Sequence, residues 1–366
     1  MSRPRRRNPQ RRERFVGVAL LTAVVGATLA ACTAPAGAPG APSSGADGTI
    51  ALLLPEAKTA RYETFDRPLF EQRAAELGDY AVLYANADQD AAKQQQQAES
   101  ALAAGAGVLV LDPVDANAAV SIVNAANAQD VPVVSYDRLV AGGDLAYYVS
   151  FDNEKVGMLQ ATAFVDALDE RGDAAGGILM VNGSPTDSNA ELFRRGAHRV
   201  LDDSGLRLLA EYDTPDWSPD KAQDWVAGQI AQYDEEIVGV YAANDGTAGG
   251  AVSALKAANV DPFPIVTGQD AELSALQRIV TGDQHMTVYK AIKPQAFLAA
   301  EVAVALLRGE TVAADMDVDG TPTTLLDPVA VTIDNILETV VADDFWSVDE
   351  ICTPQYADAC DAAGIR

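Results

Sequence analysis

Short apolar runs alternate with alanine-rich stretches of helical periodicity from residue 49 onward. This alternation predicts strands joined by crossover helices, and hence a mainly parallel sheet covered on both faces. In the first part of the chain, strands are predicted at residues 50–54, 82–84, 108–111 and 131–136. After an apolar run at 147–151 the alternation begins again, with strands predicted at 177–181, 206–212, 237–242, 263–267 and 286–289.

The length of the chain and the two sets of strands predict two lobes. The 366 residues exceed what one hydrophobic core usually spans. A helix predicted at 293–308 and late strands at 325–333 follow the second set, so we expect the chain to cross back and form a multi-strand hinge. The predicted fold class is α/β, with two doubly wound parallel-sheet lobes formed by residues 49–152 with 291–325 and by residues 153–290 with 326–342. Residues 343–366 are predicted to form a polar C-terminal tail.

The first 31 residues have the pattern of an export signal. Seven arginines precede an apolar run at residues 15–31, which is short for a membrane-spanning helix of ~20 residues. The run ends in LAAC at residues 29–32, which resembles the lipobox of bacterial lipoprotein signal peptides and implies cleavage before Cys32 and a diacylglyceryl thioether on its sulfur. Residues 32–48 are predicted to be the lipidated cysteine and a flexible tether. An ordinary secretory signal and a short anchor helix are the alternatives, and the arginine pair at 11–12 leaves both Sec and twin-arginine export open.

The charge balance and the cysteines narrow the classes of partner and site. The formal net charge is −27, and removal of residues 1–31, with seven basic residues and one acidic residue, leaves −33. A surface this acidic disfavours nucleic acids and anionic ligands but not a neutral ligand.

Cys352 and Cys360 are predicted to pair, since the compartment is oxidising. Two free thiols are the alternative, because the spacing alone does not decide, and the absence of a nearby histidine disfavours a zinc site.

Residues with charged, amide or aromatic side chains follow the predicted strands. The strand at 131–136 delivers an acid and a base side by side, Asp137 and Arg138, which we expect to face the gap between the lobes. In open α/β sheets, ligands bind at the carboxyl ends of the strands. The other candidates near strand ends are Arg61, Tyr62, Asp187, Asn189, Trp217, Asn244, Asp270 and Lys290.

Each candidate taken alone has a simpler interpretation. An Asp at a strand end is commonly a helix cap, an Asp-Arg pair a surface ion pair, and a single Trp a core residue. Their convergence on one crevice favours a sugar site. A sugar hydroxyl both donates and accepts hydrogen bonds, bonds to charged groups contribute about 1.5–3 kcal/mol each, and an aromatic face covers the apolar side of the ring.

Six motifs resemble those of the xylose-binding proteins of bacterial ABC sugar importers, which have the type I periplasmic-binding-protein fold. They follow the family's order over nearly the whole mature chain and are YDR (136–138), YYVSFDNEKVG (147–157), GSPTDSNAELFR (183–194), NDGTAGGAVSAL (244–255), GQDAELSALQRI (268–279) and MTVYK (286–290). The resemblance implies that the sugar ring lies between Tyr62 and Trp217. It also implies that the sugar is held by Arg61, Asp137, Arg138, Asp187, Asn189, Asn244, Asp270 and Lys290.

Three positions depart from the family's pattern. Tyr62 stands where the family usually has Trp, Ser188 where Asn is common, and Gly246 where Ala usually follows Asn-Asp. Residues 54–63, LPEAKTARYE, resemble the opening of a related multiple-sugar binder more than that of the xylose proteins. The identity of the sugar therefore stays open.

The resemblance implies an extracytoplasmic solute-binding lipoprotein on the outer face of the cytoplasmic membrane. The protein would close its two lobes on a monosaccharide and deliver it to an ABC permease. D-xylose is the expected sugar, and the protein is expected to be a monomer. One alternative is a binder of several monosaccharides (glucose, galactose, arabinose) with a transport or sensory role, in which the partner is a chemoreceptor or a sensor kinase. Another is the effector domain of a transcription regulator, which would need a helix-turn-helix before the first strand, where this chain has a predicted signal and tether.

A secreted glycosidase that uses two crevice carboxylates is the enzyme alternative. Arg and Lys beside these acids are expected to lower their pKa and keep them ionised, which does not suit a general acid. The sequence has no Gly-x-Ser-x-Gly motif, and His198 and His285 lack metal-ligand spacing. No enzyme activity, cofactor or metal is therefore predicted. Asn86, Asp88 and Asp90 are spaced as in a calcium loop, but they lack its Gly and closing Glu and are expected to cap the following helix.

Overall fold

The computed structural model describes residues 48–366, so the predicted signal peptide, Cys32 and the tether up to residue 47 lie outside the described residues. The described part has thirteen strands: β1 (Gly48–Leu54), β2 (Tyr80–Asn86), β3 (Val108–Leu111), β4 (Val133–Tyr136), β5 (Tyr147–Phe151), β6 (Gly177–Asn182), β7 (Arg207–Asp213), β8 (Ile237–Ala242), β9 (Ile265–Thr267), β10 (Met286–Tyr289), β11 (Met316–Val318), β12 (Thr321–Leu326) and β13 (Val329–Thr332). Its α-helices are α1 (Arg67–Leu77), α2 (Ala91–Ala103), α3 (Val120–Asn127), α4 (Asn153–Arg171), α5 (Ser188–Leu201), α6 (Pro219–Tyr233), α7 (Asp245–Ala258), α8 (Leu273–Thr281), α9 (Ile292–Leu307), α10 (Val348–Ile351) and α11 (Ala357–Ala363). Short π or 3₁₀ turns lie at Tyr62–Asp66, Pro215–Trp217, Asp234–Glu236 and Leu337–Val341.

The first lobe is built on a seven-stranded sheet with the order β11-β12-β5-β4-β3-β1-β2. Its strands are parallel except β11, which pairs antiparallel with β12. Side chains of β1 alternate between the two faces, so Ile50 and Leu52 pack towards α1 and α9, whereas Ala51 and Leu53 pack towards α2 and α3. Because helices cover both faces, all four side chains are buried, which explains the continuous apolar run in the sequence.

The second lobe is built on a six-stranded sheet with the order β13-β10-β9-β8-β6-β7. Only β13 is antiparallel among the strands of this sheet, and it pairs with β10. The strand β6 again alternates: Ile178 and Met180 pack with α4 and α5, and Leu179 and Val181 pack with α6 and α7. The second lobe therefore repeats the layered arrangement of the first.

The chain passes between the two lobes three times within residues 48–366. It passes from β5 to α4 at Asp152, from β10 to α9 at Lys290 and Ala291, and from β12 to β13 at Asp327 and Pro328. These three connections form the predicted multi-strand hinge, and the predicted fold class is confirmed. The late strands predicted at 325–333 belong to two different sheets, since the third connection separates them.

Residues 343–366, called the C-terminal segment below, pack on the second lobe. The helices α10 and α11 contact α8, and Ile351 and Ile365 are buried in the same apolar cluster as Leu276 of α8. Cys352 and Cys360 form a disulfide, with their Cα atoms 5.9 Å apart. A few buried apolar side chains and this cross-link fix a segment whose composition is otherwise polar.

Asn86 is the last residue of β2, and the chain reaches the start of α2 through residues 87–90. Asp90 is the N-cap of this helix and accepts a hydrogen bond from the backbone N–H of Lys93 at 2.9 Å.

Among residues 48–366 there is no group of three or more His, Cys, Asp or Glu side chains that could hold a metal ion. No helix in this part of the chain combines the length and apolarity needed to cross a membrane.

Candidate functional site: a polar cavity between the lobes

A small polar cavity lies at the carboxyl ends of strands from both lobes. The structure brings all ten predicted side chains to this cavity: Arg61, Tyr62, Asp137 and Arg138 from the first lobe, Asp187, Asn189, Trp217, Asn244 and Asp270 from the second, and Lys290 from a hinge connection. Thr59, Phe193 and Gln269 complete the lining.

Arg61 is held by a network of buried acceptors in the first lobe. Its guanidinium donates to Asp66 at 2.7 and 3.0 Å, to Asp137 at 2.9 Å and to Gln295 at 2.8 Å. Burial alone raises the pKa of Asp137, but Arg61, Lys290 and Arg138 outweigh it and hold the pKa of this carboxyl well below its usual range. Asp137 is therefore a charged acceptor at the floor of the cavity.

Arg138 connects the two lobes. Its Nε lies 2.8 Å from Asp187 Oδ2 of the second lobe, and one Nη donates to the Tyr62 hydroxyl at 3.1 Å. Burial raises the pKa of Asp187 even though Arg138 lowers it, and the pKa of the fully buried Asp112, 3.6 Å from Arg138, is also raised by burial. The expectation that neighbouring cations lower the pKa of every crevice acid is therefore wrong for Asp187, because desolvation outweighs the ion pair.

Lys290 and Asp270 form another buried ion pair, with Nζ and Oδ1 3.0 Å apart. The other oxygen of Asp270 accepts a hydrogen bond from Gln269 Nε2 at 3.0 Å. All three cations that line the cavity thus have a carboxylate partner within 3.0 Å. The pairs bring donors and acceptors close together, which is the arrangement that a neutral polyhydroxyl ligand requires.

Tyr62 and Trp217 are the predicted aromatic walls, and both line the cavity. The Trp217 indole N–H donates to Asp187 at 2.9 Å, and the Phe193 ring meets the Trp217 ring edge-on, with centroids 6.3 Å apart. A Cβ at Gly183 would lie 2.1 Å from the Trp217 ring, so this close approach requires glycine. Trp217 itself has a positive φ of 53°, a strained conformation for a bulky residue.

Two of the candidate residues, Asp187 and Asn244, both cap a helix and line the cavity. Asp187 caps α5 by accepting from the Asn189 N–H at 2.8 Å, and Asn244 caps α7 by accepting from the Thr247 N–H at 2.9 Å. The side-chain amide of Asn189 also donates a hydrogen bond to the backbone carbonyl of Asp137 in the opposite lobe, at 3.1 Å. Two helices therefore begin at the cavity, and their caps are part of its wall.

Six residues of the site or its support were not singled out from the sequence. Phe193 and Gln269 lie inside quoted motifs, and Asp112 directly follows an apolar run, so the strand-end rule indicates it. Asp66 and Gln295 carry no such signal, because they reach Arg61 from a turn and from the first turn of α9. The remaining residue, Thr59, precedes Arg61 in the same loop.

Two layered α/β lobes, three connections and a polar cavity between the lobes define a type I periplasmic binding protein. The family model described as "Periplasmic binding protein domain" matches residues 50–311. The D-xylose-binding periplasmic proteins of Haemophilus influenzae and Escherichia coli are 36% and 35% identical to this chain over 313 and 310 residues, which are 83% and 82% of this chain and 92% of each relative. The chain belongs to the xylose-binding protein family of bacterial ABC sugar importers.

Other relatives bind other sugars. A multiple sugar-binding periplasmic receptor of Rhizobium radiobacter is 31% identical over 336 residues, 85% of this chain and 94% of that protein. Among solved structures, an ABC transporter solute-binding protein of Clostridium phytofermentans with bound β-D-glucose superposes with a TM-score of 0.76 at 26% identity, over 83% of this chain and 99% of that one. A carbohydrate transporter solute-binding protein of Chloroflexus aurantiacus in complex with D-glucose gives 0.74 at 27% identity, over 82% and 97%.

Proposed function

We propose that this protein captures a monosaccharide, D-xylose, between its lobes outside the cytoplasm and delivers it to an ABC importer. The observation that carries the proposal is the cavity between the lobes, which is lined by three ion pairs and two aromatic side chains. Charged groups bind hydroxyls strongly, and such a site disfavours analogues that lack a hydroxyl. Membership of the xylose-binding family and the names of the 35–36% identical relatives support D-xylose.

Both lobes contribute side chains to the cavity lining, and this supports capture of the sugar by closure of the lobes. A ligand closes two lobes only if it binds the closed state better than the open one. Arg61 and Asp137 come from the first lobe and Asp270 from the second. A sugar that contacts both sets therefore stabilises the closed form, which is the form that a permease would recognise.

The second candidate function is capture of several monosaccharides, with a transport or sensory role through a chemoreceptor or sensor kinase. Tyr62 in the first-lobe wall and the similarity to the multiple sugar-binding receptor favour it. A glycosidase needs a general acid, and the low pKa of Asp137 keeps this carboxyl ionised and disfavours that role. The pKa of Asp187 is raised, so Asp187 is a carboxyl that resists ionisation. Release of sugar from an aryl glycoside by the purified protein, abolished by Asp187→Asn, would contradict a binding-only function.

The experiment that tests the proposal is calorimetric titration of residues 47–366 with xylose, glucose, galactose, arabinose and ribose. Micromolar binding, about −8 kcal/mol, of xylose alone supports the proposal. Comparable binding of several sugars supports the second candidate. Binding of none would contradict both.

Anchoring by a lipid on Cys32 is a further part of the proposal. The lipobox-like sequence at 29–32 supports it, and two acyl chains suffice for stable attachment to a membrane. We expect Cys32→Ser to move the protein from the membrane fraction to the soluble fraction, with sugar affinity unchanged. A variant that stays in the membrane fraction would indicate an uncleaved anchor helix.

A further inference from the structure

The loop that presents Asp270 to the cavity has an unusual backbone. Asp270 and Ala271 have φ values of 100° and 51°, both in the left-handed region that non-glycine residues rarely adopt. Strained residues of this kind persist only where the surrounding structure holds them in place. The position of the Asp270 carboxylate therefore depends on whatever holds these two residues.

Three hydrogen bonds hold the backbone groups of Asp270 and Ala271, and one of them comes from the C-terminal segment. The Asp270 N–H donates to the Val288 carbonyl at 2.9 Å, and the Ala271 N–H donates to Thr287 Oγ1 at 3.1 Å. The Ala271 carbonyl accepts from the indole Nε1 of Trp346 at 2.9 Å. The first two bonds belong to the neighbouring strand β10, whereas the third belongs to a residue far along the chain and outside the cavity.

The same segment also contacts the residue that precedes Lys290, the other member of the buried ion pair. The Tyr289 hydroxyl donates to Asp343 at 3.2 Å, and the rings of Tyr289 and Phe345 lie 5.0 Å apart. Tyr289 directly precedes Lys290, the partner of Asp270. Residues 343–346 thus contact a neighbour of each member of the Lys290–Asp270 pair, namely the side chain of Tyr289 and the carbonyl of Ala271.

A third contact reaches the first lobe. Phe65 lies in the turn Tyr62–Asp66, which carries a cavity wall, and its ring stacks on Phe345 with centroids 4.0 Å apart. The Phe65 ring also meets Trp346 edge-on at 5.0 Å. The C-terminal segment is in turn fixed to α8 by buried apolar side chains and carries the disulfide between Cys352 and Cys360.

We propose that the C-terminal segment is a positioning element of the sugar site and that Trp346 is the positioning residue that holds the Asp270 carboxylate against Lys290. This inference rests on the proposed function. Trp346→Phe keeps an aromatic ring for the contacts with Phe65 and Phe345 and removes only the indole N–H and part of the ring system. We expect it to weaken xylose binding about five- to tenfold, because one neutral hydrogen bond that holds the Asp270 loop is lost. The unfolding midpoint of the sugar-free protein should fall only slightly, since the loss of a single hydrogen bond shifts the midpoint of a protein of this size by a small amount.

A double-mutant cycle on the full chain separates positioning from general destabilisation. Xylose affinity is measured for the wild type, Trp346→Phe, Asp270→Asn and the double variant. If Trp346 acts through the Asp270 carboxylate, Trp346→Phe has little further effect once that carboxylate is gone. An equal fold-change in both backgrounds, or no change in either, would overturn the inference. Trp225→Phe is the matched control, because Trp225 stacks on Tyr212, outside the cavity lining, and should bind as the wild type does.

A measurement on the unsubstituted ring covers the case in which Trp346→Phe does not fold. In ¹⁵N-labelled full chain, the Trp346 indole N–H signal should shift when xylose saturates the protein, whereas the Trp225 signal should not. A Trp346 signal that does not respond to bound sugar would overturn the inference. Failure of the wild type to bind any sugar would instead contradict the proposed function, so the two outcomes are distinguishable.

Discussion

At the scale of single residues, the site is a set of buried charges that are already paired. Asp137, Asp187 and Asp270 each lie within 3.0 Å of a cation, and all six partners are almost fully buried. An unpaired buried charge is costly, whereas a paired one is tolerated. Pairing therefore allows the lobes to enclose a neutral ligand without leaving isolated charges inside.

Arg138→Ala should weaken sugar binding by at least about 30-fold, because it removes a charged donor and leaves Asp187 without its cation. Loss of one partner from a buried pair typically costs ~3–5 kcal/mol, so the unfolding midpoint should also fall. Calorimetric titration and thermal unfolding measure the two effects. Arg195→Ala is the control, since Arg195 pairs with Glu154 on the surface. Affinity of Arg138→Ala within about twofold of wild type would contradict the site.

Gly183→Ala should displace the Trp217 ring and weaken sugar binding, because the new Cβ would lie 2.1 Å from that ring. Gly228→Ala adds the same methyl group in α6 where no other atom lies within 4 Å, and should leave affinity unchanged. Titration of both variants with xylose makes the comparison. Equal affinities would show that Trp217 is not part of the binding wall.

Prediction from sequence worked best for residues whose position follows from topology. Asp137, Asn244 and Asp270 follow strands, and parallel strands bring their carboxyl ends together whatever the loops do. Gln295 could not be found in this way, because its contact with Arg61 joins residues 234 positions apart and depends on how α9 packs. The raised pKa of Asp187 could not be predicted either, since desolvation depends on burial in the folded chain.

At the scale of elements, the amino terminus of α7 serves both the cavity and a buried acid cluster. Asn244 lines the cavity, and the next residue, Asp245, is fully buried beneath it. Asp245 accepts hydrogen bonds from Gln284, Thr287 and the N–H of Glu272. Burial raises the pKa of Asp245 to about 7, and burial together with Asp245 and Asp270 raises the pKa of Glu272 to about 8.

This cluster predicts how stability depends on pH. Unfolded Asp and Glu have pKa values of ~3.9 and ~4.3, so between these values and about 7–8 the folded state retains protons that the unfolded state has lost. The free energy of unfolding should therefore fall as pH rises from about 5 to 8, with a slope of up to about 1.4 kcal/mol per pH unit for each retained proton. Urea unfolding at pH 5, 6, 7 and 8 measures this slope. Asp245→Asn, which mimics the protonated acid, should flatten it, and an unchanged slope would contradict the assignment.

The elements that the sequence did not indicate are those without an apolar run. β11 was missed because it is short and largely exposed, with Met316 at 48% exposure. The packing of the C-terminal segment was missed because a few apolar residues, among them Ile351 and Ile365, fix it within a polar sequence. The strands of the parallel core were predicted closely because burial on both faces imposes continuous apolar runs.

At the scale of the whole molecule, the lobes contact each other directly as well as around the cavity. The Ala116 N–H of the first lobe donates to the Thr186 carbonyl at 3.0 Å, and the Leu139 N–H donates to Ser188 Oγ at 2.9 Å. These bonds stabilise the closed arrangement without any ligand. They therefore add to apparent affinity by favouring the binding-competent state.

Ser188→Ala should weaken sugar binding about fivefold and speed release, because it removes one bond between the lobes and leaves the cavity lining intact. Stopped-flow release and equilibrium titration measure the two effects. Ser253→Ala is the control, since Ser253 bonds only within α7, to the Gly249 carbonyl. A release rate equal to that of the wild type would show that this contact does not stabilise closure.

The order of strands in the two sheets has a consequence for how the molecule is made. β12 completes the first sheet beside β5, and β13 completes the second beside β10, although both come from the last part of the chain. A nascent chain therefore cannot finish either lobe until residues 321–332 have been made. A fragment that ends before β11 would leave β5 and β10 as open edges, which are templates for pairing with other chains. Both lobes therefore depend for their completion on the same short stretch of sequence, which includes β12 and β13.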